Sequence, residues 1–223
     1  MKYLIFDAGP IINFAMNGSL DILRKLKQNF DGEFLITKEV KYEIIDHPQS
    51  IKKYELEALQ IKELFDEGII KHADLSKKQI DELREKREEL ILVANDTYKT
   101  NNKSIHIIDK GEAASLALSY ILGKPNFLVV DERTTRMLCE SPENLRKLLE
   151  RKLHTKVTSV KDNYKVFSEF KIIRSTELAY VAYKKKLFNL HYPNALEAML
   201  YGLKYRGCSI SEAEIEEMKK SKL

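Results

Sequence analysis

Short apolar runs, each ending at a charged or turn-forming residue, recur along the chain. The run Tyr3–Phe6 is followed by Asp7 and then by Gly9-Pro10, and the run Phe127–Val130 is followed by Asp131. Four apolar residues in succession, bounded in this way, predict a short strand that is buried on both faces. If the two strands are parallel neighbours, their terminal aspartates meet at the carboxyl edge of the sheet, where open α/β sheets place their chemistry.

Between these runs, apolar positions recur at helical spacing, so the sequence predicts an α/β fold with a parallel sheet. Ser19 and Thr37 are N-cap candidates, and Gly123 ends a helix. The predicted helices cover residues 11–16, 20–27, 37–47, 54–65, 76–93, 109–122, 132–139, 141–153, 168–186, 194–205 and 209–220. The further predicted strands cover residues 33–36, 68–72 and 156–160, the last of them as an edge strand.

The charge pattern divides the chain further. Acids and bases alternate through residues 50–102, with many i,i+4 opposite-charge pairs at 81–89, which is typical of a solvated helix face. This stretch is interpreted as a helical excursion from the sheet, either a substrate-side or partner-side arm or a surface hairpin without a role. Residues 1–160 are predicted to form the α/β domain, and residues 161–223 a helical C-terminal extension.

Two further acids lie at positions that fit a site at the sheet edge. Glu43 is flanked by apolar residues on its helix and is expected to turn toward the protein rather than toward open water. Glu112 lies in the first turn of the helix that Asp109 opens, where the helix dipole favours a carboxylate in any case. Asp7 and Asp131 have an alternative reading as helix caps. Together the four acids predict a divalent-metal site that cleaves nucleic-acid phosphodiesters; they are Asp7, Glu43, Glu112 and Asp131.

Composition narrows the class of protein. The chain has 38 basic and 34 acidic residues, a net charge of +4 and a pI of about 8.8, which permits a nucleic-acid partner without requiring one. Cys139 and Cys208 lack ligand spacing, which argues for a reducing compartment and against a structural zinc site. The sequence contains no signal peptide and no apolar run long enough to span a membrane, so a cytoplasmic protein is expected.

In order along the chain, these motifs resemble those of the PIN-domain nuclease family, in its prokaryotic ribonuclease and toxin branch. Each motif is weak alone, but four acids in the right order on the right elements make a more specific signal. The resemblance covers roughly residues 1–160. The matching segments are Phe6–Asn13 with Gly18–Leu23, Ile36–Glu43, Gly111–Ala117 and Val129–Arg133.

The resemblance implies a three-layer α/β/α sandwich with a central parallel sheet and the acids clustered at one edge. It also implies Mg²⁺- or Mn²⁺-dependent endoribonuclease activity on single-stranded or structured RNA, and a homodimer. Hard divalent ions prefer oxygen ligands, and crowded carboxylates repel one another without a cation, so the residues themselves support this chemistry. Asp7 and Asp131 would be the direct ligands, with Glu43 and Glu112 completing the coordination directly or through water.

Three other readings stay open. One is a PIN-like module that binds RNA or a protein without cutting. Another is the toxin of a toxin–antitoxin pair, inhibited by a small antitoxin protein. A haloacid-dehalogenase-type phosphatase is disfavoured, because Gly9 stands where that class needs a second aspartate. Gly9 also replaces the hydroxyl residue that the nuclease family often carries, which removes a hydrogen bond but no carboxylate.

Basic residues suited to an RNA backbone are diffuse. Lys184–Lys186 near Tyr180 and Tyr183, and Lys204-Tyr205-Arg206, interleave bases with aromatics, as strand-binding surfaces do. A charged helix face with tyrosine packed inward explains these residues equally well. Thr134, Thr135 and Arg136 are near enough to Asp131 to contact a phosphate, although first-turn helix roles are favoured for the two threonines.

Overall fold

Residues 2–221 are described by a computed structural model, in which they form seven strands and twelve α-helices. The strands are β1 (Lys2–Phe6), β2 (Gly32–Leu35), β3 (Tyr98–Thr100), β4 (Lys103–Ser104), β5 (Asn126–Val129), β6 (Thr158–Ser159) and β7 (Ile172–Ile173). The helices are α1 (Ala8–Met16), α2 (Leu20–Gln28), α3 (Lys38–Lys41), α4 (Glu55–Asp66), α5 (Lys77–Thr97), α6 (Lys110–Leu122), α7 (Arg133–Glu140), α8 (Pro142–Leu153), α9 (Tyr164–Phe167), α10 (Ser175–Lys184), α11 (Ala195–Arg206) and α12 (Glu212–Lys220).

A parallel sheet in the order β2-β1-β5-β7 forms the centre of the fold. Leu4 of β1 lies opposite Phe34 of β2 and Phe127 of β5, so the three predicted apolar runs are the three longest strands of this sheet. The α/β fold with a central parallel sheet is therefore confirmed. A second, antiparallel sheet in the order β4-β3-β6 lies apart from it.

The alternation of side chains along the central strands separates two hydrophobic cores. Leu4 and Phe6 of β1 belong to one core, together with residues of α1, α2, α4, α10 and α11. Ile5, between them, belongs to the other core, together with residues of α5, α6, α7 and α8. Because successive strand residues point to opposite faces, each face of the sheet is covered by its own set of helices.

Several predicted elements are wrong in detail. The strand expected at 68–72 is reduced to one bridge between Leu35 and Lys71. The edge strand expected at 156–160 forms as β6, but it pairs with β3 in the second sheet. The helix expected from 168 starts only at Ser175, because Ile172–Ile173 forms β7 on the edge of the central sheet. The first helix begins at Ala8, before Pro10 rather than after it.

The excursion and the C-terminal segment both contribute to the cores. Leu64 of α4 and Leu90 of α5 are fully buried on opposite sides of the sheet. Leu178 and Ala179 of α10 pack in the core of Leu4 and Phe6. The domain boundary at residue 160 stays a prediction. Within residues 2–221, no helix is both long enough and apolar enough to cross a membrane.

Candidate functional site

Asp7 occupies the carboxyl end of β1 and has little contact with water. Its backbone amide donates to the carbonyl of Val129 at 3.0 Å, which ties it to β5, and only 7% of the residue is exposed. It stands at the N-cap position of α1 but makes no side-chain capping hydrogen bond. Burial raises the pKa of Asp7 well above its usual value, and the charges of Glu112, Glu43 and Asp109 raise it further, while the Ala8 amide lowers it.

Glu112 is held by the start of α6. Its Oε2 accepts from the backbone amide of Asp109 at 2.9 Å, while Asp109 Oδ1 accepts from the amide of Glu112 at 2.9 Å. This reciprocal capping box fixes both carboxylates. The Oε1 of Glu112 accepts a hydrogen bond from the buried hydroxyl of Thr135 on α7. Burial raises the pKa of Glu112 to about 7, against the lowering effect of Thr135 and the Asp109 amide.

Glu43 approaches the same helix start from the turn that follows α3. That helix is capped by the Thr37 side chain and passes into a π-helical turn at Tyr42–Asp46. A side chain methyl placed on Gly111 would lie 3.3 Å from Glu43 Oε2 and 3.4 Å from Asp109 Oδ1, so both carboxylates border the bare glycine. π-Helical turns often occur at functional sites, because the extra residue redirects a side chain.

The carboxylate of Glu43 has an environment unlike that of the residue as a whole. The residue is exposed, so the expectation that it turns away from water is wrong. Loss of water around the carboxylate nevertheless raises the pKa of Glu43, and the charge of Asp109 raises it further.

Asp131 also lies at the sheet edge but is fully engaged by protein donors. Asn13 donates to its Oδ2 at 2.6 Å. Ser175 donates twice, from its amide to Oδ1 at 2.8 Å and from its hydroxyl to Oδ2 at 2.7 Å. Only 2% of the residue is exposed. Its carboxylate therefore joins α1 to the first turn of α10.

The structure places three of the four predicted acids within electrostatic reach of Asp109, an acid that was assigned only to a helix cap. Asp7, Glu43 and Glu112 approach Asp109, and the charges that shift their pKa values are all carboxylates. Asp131 faces α10 instead. Asp109 and Thr135 are the residues whose part in the site the sequence reasoning missed. The spacing of an aspartate three residues before a glutamate was the available signal for Asp109.

The donor set fits a hard cation by its chemistry. Four carboxylates supply oxygen ligands, and three of them (Asp7, Glu43 and Glu112) have pKa values raised by burial and by neighbouring carboxylates, so a divalent cation would relieve this repulsion. Across residues 2–221, no three His, Cys, Asp or Glu side chains are grouped closely enough to hold a metal ion as they stand.

Two of the predicted basic residues, Lys184 and Lys204, are engaged in contacts within the protein. Lys184 lies over the ring of Tyr180, whose hydroxyl donates to the carbonyl of Ser221, so this tyrosine packs inward. Lys204 pairs with Glu212 at 3.0 Å. Tyr205 is 75% exposed. The interpretation as a charged helix face therefore fits Tyr180, whereas Tyr205 is left open to solvent.

Comparison with known protein families, with curated proteins and with solved structures finds no match for this chain.

Proposed function

We propose that this protein is a divalent-metal-dependent endoribonuclease of the PIN type, which hydrolyses RNA phosphodiester bonds at the carboxyl edge of the central sheet. The proposed fold is the three-layer α/β/α sandwich, supported by the separate hydrophobic cores on the two faces of the sheet. The proposed site contains the predicted acids Asp7, Glu43, Glu112 and Asp131.

One observation carries the proposal. Three acids that are far apart in sequence lie near the sheet edge, and the charges that contribute most to raising their pKa values belong to neighbouring carboxylates. Strongly perturbed carboxylates without a compensating protein cation are typical of functional sites rather than of structural ion pairs. By contrast, Glu39 on α3, one turn before Glu43, is paired with Arg87, as structural acids usually are.

In the proposed reaction, each residue has a defined task. Bound Mg²⁺ or Mn²⁺ would supply the charge that activates water and stabilises the leaving oxygen. Asp7 is positioned by the hydrogen bond between its backbone and β5, and Glu112 is oriented by Asp109 and Thr135. Because a carboxylate must be ionised to bind a cation, the pKa of about 7 at Glu112 would make metal binding depend on pH near neutrality.

RNA as the substrate rests on the family resemblance and on charge. The net charge of +4 favours approach of a polyanion in spite of the acidic site. No side chain of the chain is required as a covalent nucleophile in this mechanism.

The test is cleavage of a labelled single-stranded RNA by purified protein in the presence of Mn²⁺. The wild type is expected to cut, and Asp7→Asn to lose at least 100-fold of the rate, because removal of a charge-stabilising group at a reacting centre costs on this order. Asp31→Asn is the matched control, since Asp31 is an exposed aspartate at the opposite, amino end of β2.

Equal cleavage by wild type and Asp7→Asn would assign the activity to a contaminant and reject the enzymatic proposal. Saturable binding of RNA without cleavage at any Mn²⁺ concentration would support the non-catalytic binding module instead.

A further inference from the structure

A cavity of about 210 Å³ lies where the chain returns from α4 across the carboxyl end of β2. The amide of Ile36 donates to the carbonyl of Lys71 at 2.9 Å, which holds the returning segment His72–Leu75 beside that strand end. Ser76 then begins α5 with a capping box, and four residues of this helix line the cavity. The cavity is therefore bounded by the end of β2, the start of α3 and the first half of α5.

The larger part of the cavity wall is apolar. Its apolar side chains come from the end of β2, the returning segment, α5 and α6; they are Ile36, Ala73, Leu75, Ile80, Leu83 and Leu118. Pockets that enclose a whole drug-sized ligand measure roughly 300–1,000 Å³. The smaller volume here fits a single planar ring system, whose faces would exchange water for apolar contacts while the rest of the ligand stays outside.

His72 adds a polar group to this wall. Its Nδ1 lies 3.0 Å from the carbonyl oxygen of Ile36, and because a carbonyl can only accept, Nδ1 is the donor. The ring also packs edge-on against Phe65, with the centroids 5.2 Å apart, which fixes its orientation. Within residues 2–221 the Nε2 of His72 has no hydrogen-bond partner. It is the ring nitrogen left for a ligand.

Basic side chains outnumber acids around the cavity. Lys38 is exposed and forms no ion pair within the described part of the chain, and Arg84 is exposed with a single ion pair, to Asp81 at 3.3 Å. Arg87 is engaged by Glu39 and by a second acid on its own helix, and Glu39 is the only acid among the described residues that line the cavity. Exposed ion pairs are weak, so Arg84 can turn to another anion at little cost.

We propose that this cavity, the base pocket, binds one nucleotide of an RNA strand, with the base edge at His72 and the adjoining phosphate at Arg84 and Lys38. Unpaired RNA bases are recognised by packing of their faces together with hydrogen bonds to their edges, and the arginine fork matches phosphate geometry. The proposal rests on the proposed function, because it gives the same RNA a contact outside the acids. Thr37, whose hydroxyl oxygen caps α3, also lines the pocket, so the pocket lies at the start of the helix that leads to Glu43.

The first experiment titrates 5′-UMP, 5′-CMP, 5′-AMP and 5′-GMP into the full chain by calorimetry, with a chelator present so that no metal contributes. The wild type is expected to bind at least one of them at a single saturable site. Arg84→Ala should weaken this binding at least about tenfold, because a hydrogen bond to a charged group is lost. Arg151→Ala is the matched control, since Arg151 is an exposed arginine on α8 away from the pocket, and it should leave the affinity unchanged. Equal affinities of wild type and Arg84→Ala would overturn the proposal.

A filling variant tests the place of the base. Ala73→Phe puts a ring into the cavity and is expected to abolish nucleotide binding. Ala73 is partly buried, so circular dichroism checks that the variant folds, and Arg84→Ala decides the matter if it does not. Inorganic phosphate alone should bind the wild type at least about tenfold more weakly than the nucleotide, because it lacks the apolar contacts. Equal affinity for phosphate would show an anion site without a base pocket and would overturn the proposal.

A trinucleotide tests whether the ligand belongs to a strand. An RNA trinucleotide of the preferred base is expected to displace the mononucleotide from the wild type, and to lose affinity in Arg84→Ala by a similar factor. A mononucleotide that stays bound in the presence of excess trinucleotide would identify the free nucleotide as the ligand and overturn the assignment to RNA.

Cleavage kinetics separate the base pocket from the proposed function. With Mn²⁺, Arg84→Ala is expected to raise the KM for RNA and to keep kcat near the wild-type value, because Arg84 binds the strand away from the reacting bond. If the wild type cuts RNA but binds no nucleotide in chelator, the base pocket is rejected and the proposed function survives. If nucleotides bind as expected and RNA is not cut, the base pocket survives and the catalytic proposal falls.

Discussion

At the scale of single residues, Thr135 connects two of the elements on which the site depends. Its amide donates to Glu132 Oε2 at 2.7 Å, which caps α7, and its hydroxyl donates to Glu112 on α6. The hydroxyl therefore lowers the pKa of Glu112, against the larger opposing effect of burial. Thr135 is a positioning residue, because it acts on the proposed chemistry only through Glu112.

Replacing this threonine by its isostere tests that role. In Thr135→Val, loss of a hydrogen bond to a charged group, about 1.5 kcal/mol, should raise the pKa of Glu112 by about one unit. The acid limb of the pH–rate profile for RNA cleavage is expected to move to higher pH by that amount. Thr134→Val is the control, since Thr134 is partly exposed and its side chain forms no hydrogen bond within residues 2–221. An unchanged profile with a lowered melting temperature would make Thr135 merely structural.

The sequence predicted those parts of the site whose backbone positions are fixed by the strands. Asp7 and Asp131 follow apolar runs, so their backbone locations at the sheet edge could be inferred. The direction in which each side chain points could not, because the partners of Asp131 lie at positions 13 and 175, far away in sequence. Asp109 was identified as a helix cap, but its proximity to Glu43 depends on how α3 packs beside α6.

At the scale of elements, the length of a strand and its pattern of buried residues determine whether it can be predicted from sequence. β1, β2 and β5 have apolar runs of about four residues, whereas β7 is two residues long and has no periodicity to detect. The β3–β4 hairpin has a stronger local signal that was missed. Asn101 and Asn102 both have positive φ, of 48° and 61°, as the two-residue loop of a hairpin requires.

Arg174 is the main polar link between elements of the C-terminal segment. Its guanidinium donates to Glu177 of α10 at 2.9 Å, to Glu214 of α12 at 2.8 Å and to the Ser209 carbonyl at 3.1 Å. Only 9% of the residue is exposed, so the cation is buried while its acidic partners are partly open to water.

We expect Arg174→Met to lower the free energy of unfolding by about 2 kcal/mol, because two neighbouring carboxylates and a carbonyl lose their donor. Partial exposure of the acids keeps the loss below that of a fully buried pair. Denaturant unfolding at neutral pH measures this loss of unfolding free energy. Lys52→Met removes an exposed pair with Glu55 and should change stability by less than about 0.5 kcal/mol. Similar losses of unfolding free energy in Arg174→Met and Lys52→Met would contradict the role of Arg174 as the main polar link of the C-terminal segment.

At the scale of the whole molecule, the acidic site should govern how stability depends on pH. Glu112 has a pKa of about 7 in the folded protein against an ordinary value of 4.5. Between these values the folded protein holds a proton that the unfolded chain has released, so stability falls as pH rises through this window. Asp7 acts in the same direction. Glu214 has a pKa lowered to about 2, so its contribution to the free energy of unfolding does not change with pH above pH 5.

The metal-free protein is therefore expected to melt at a lower temperature at pH 7.5 than at pH 5.5. Glu112→Gln should flatten this dependence, since the amide does not titrate, and Mn²⁺ should reverse it, since a cation favours the ionised carboxylates. Thermal unfolding by circular dichroism at the two pH values measures the effect. A wild-type melting temperature that rises over this interval without metal would contradict the perturbed pKa of Glu112.

The hydrogen bonds between Asp131 and Ser175 also have a consequence for biosynthesis. A growing polypeptide has made β1, β2 and β5 long before residues 172–175 leave the ribosome. Until then the aspartate has no donor from α10, and one core still lacks Leu178 and Ala179. The nascent chain is thus expected to stay incompletely folded, with Asp131 and the β5 edge of the central sheet unpaired, until translation has passed the last strand.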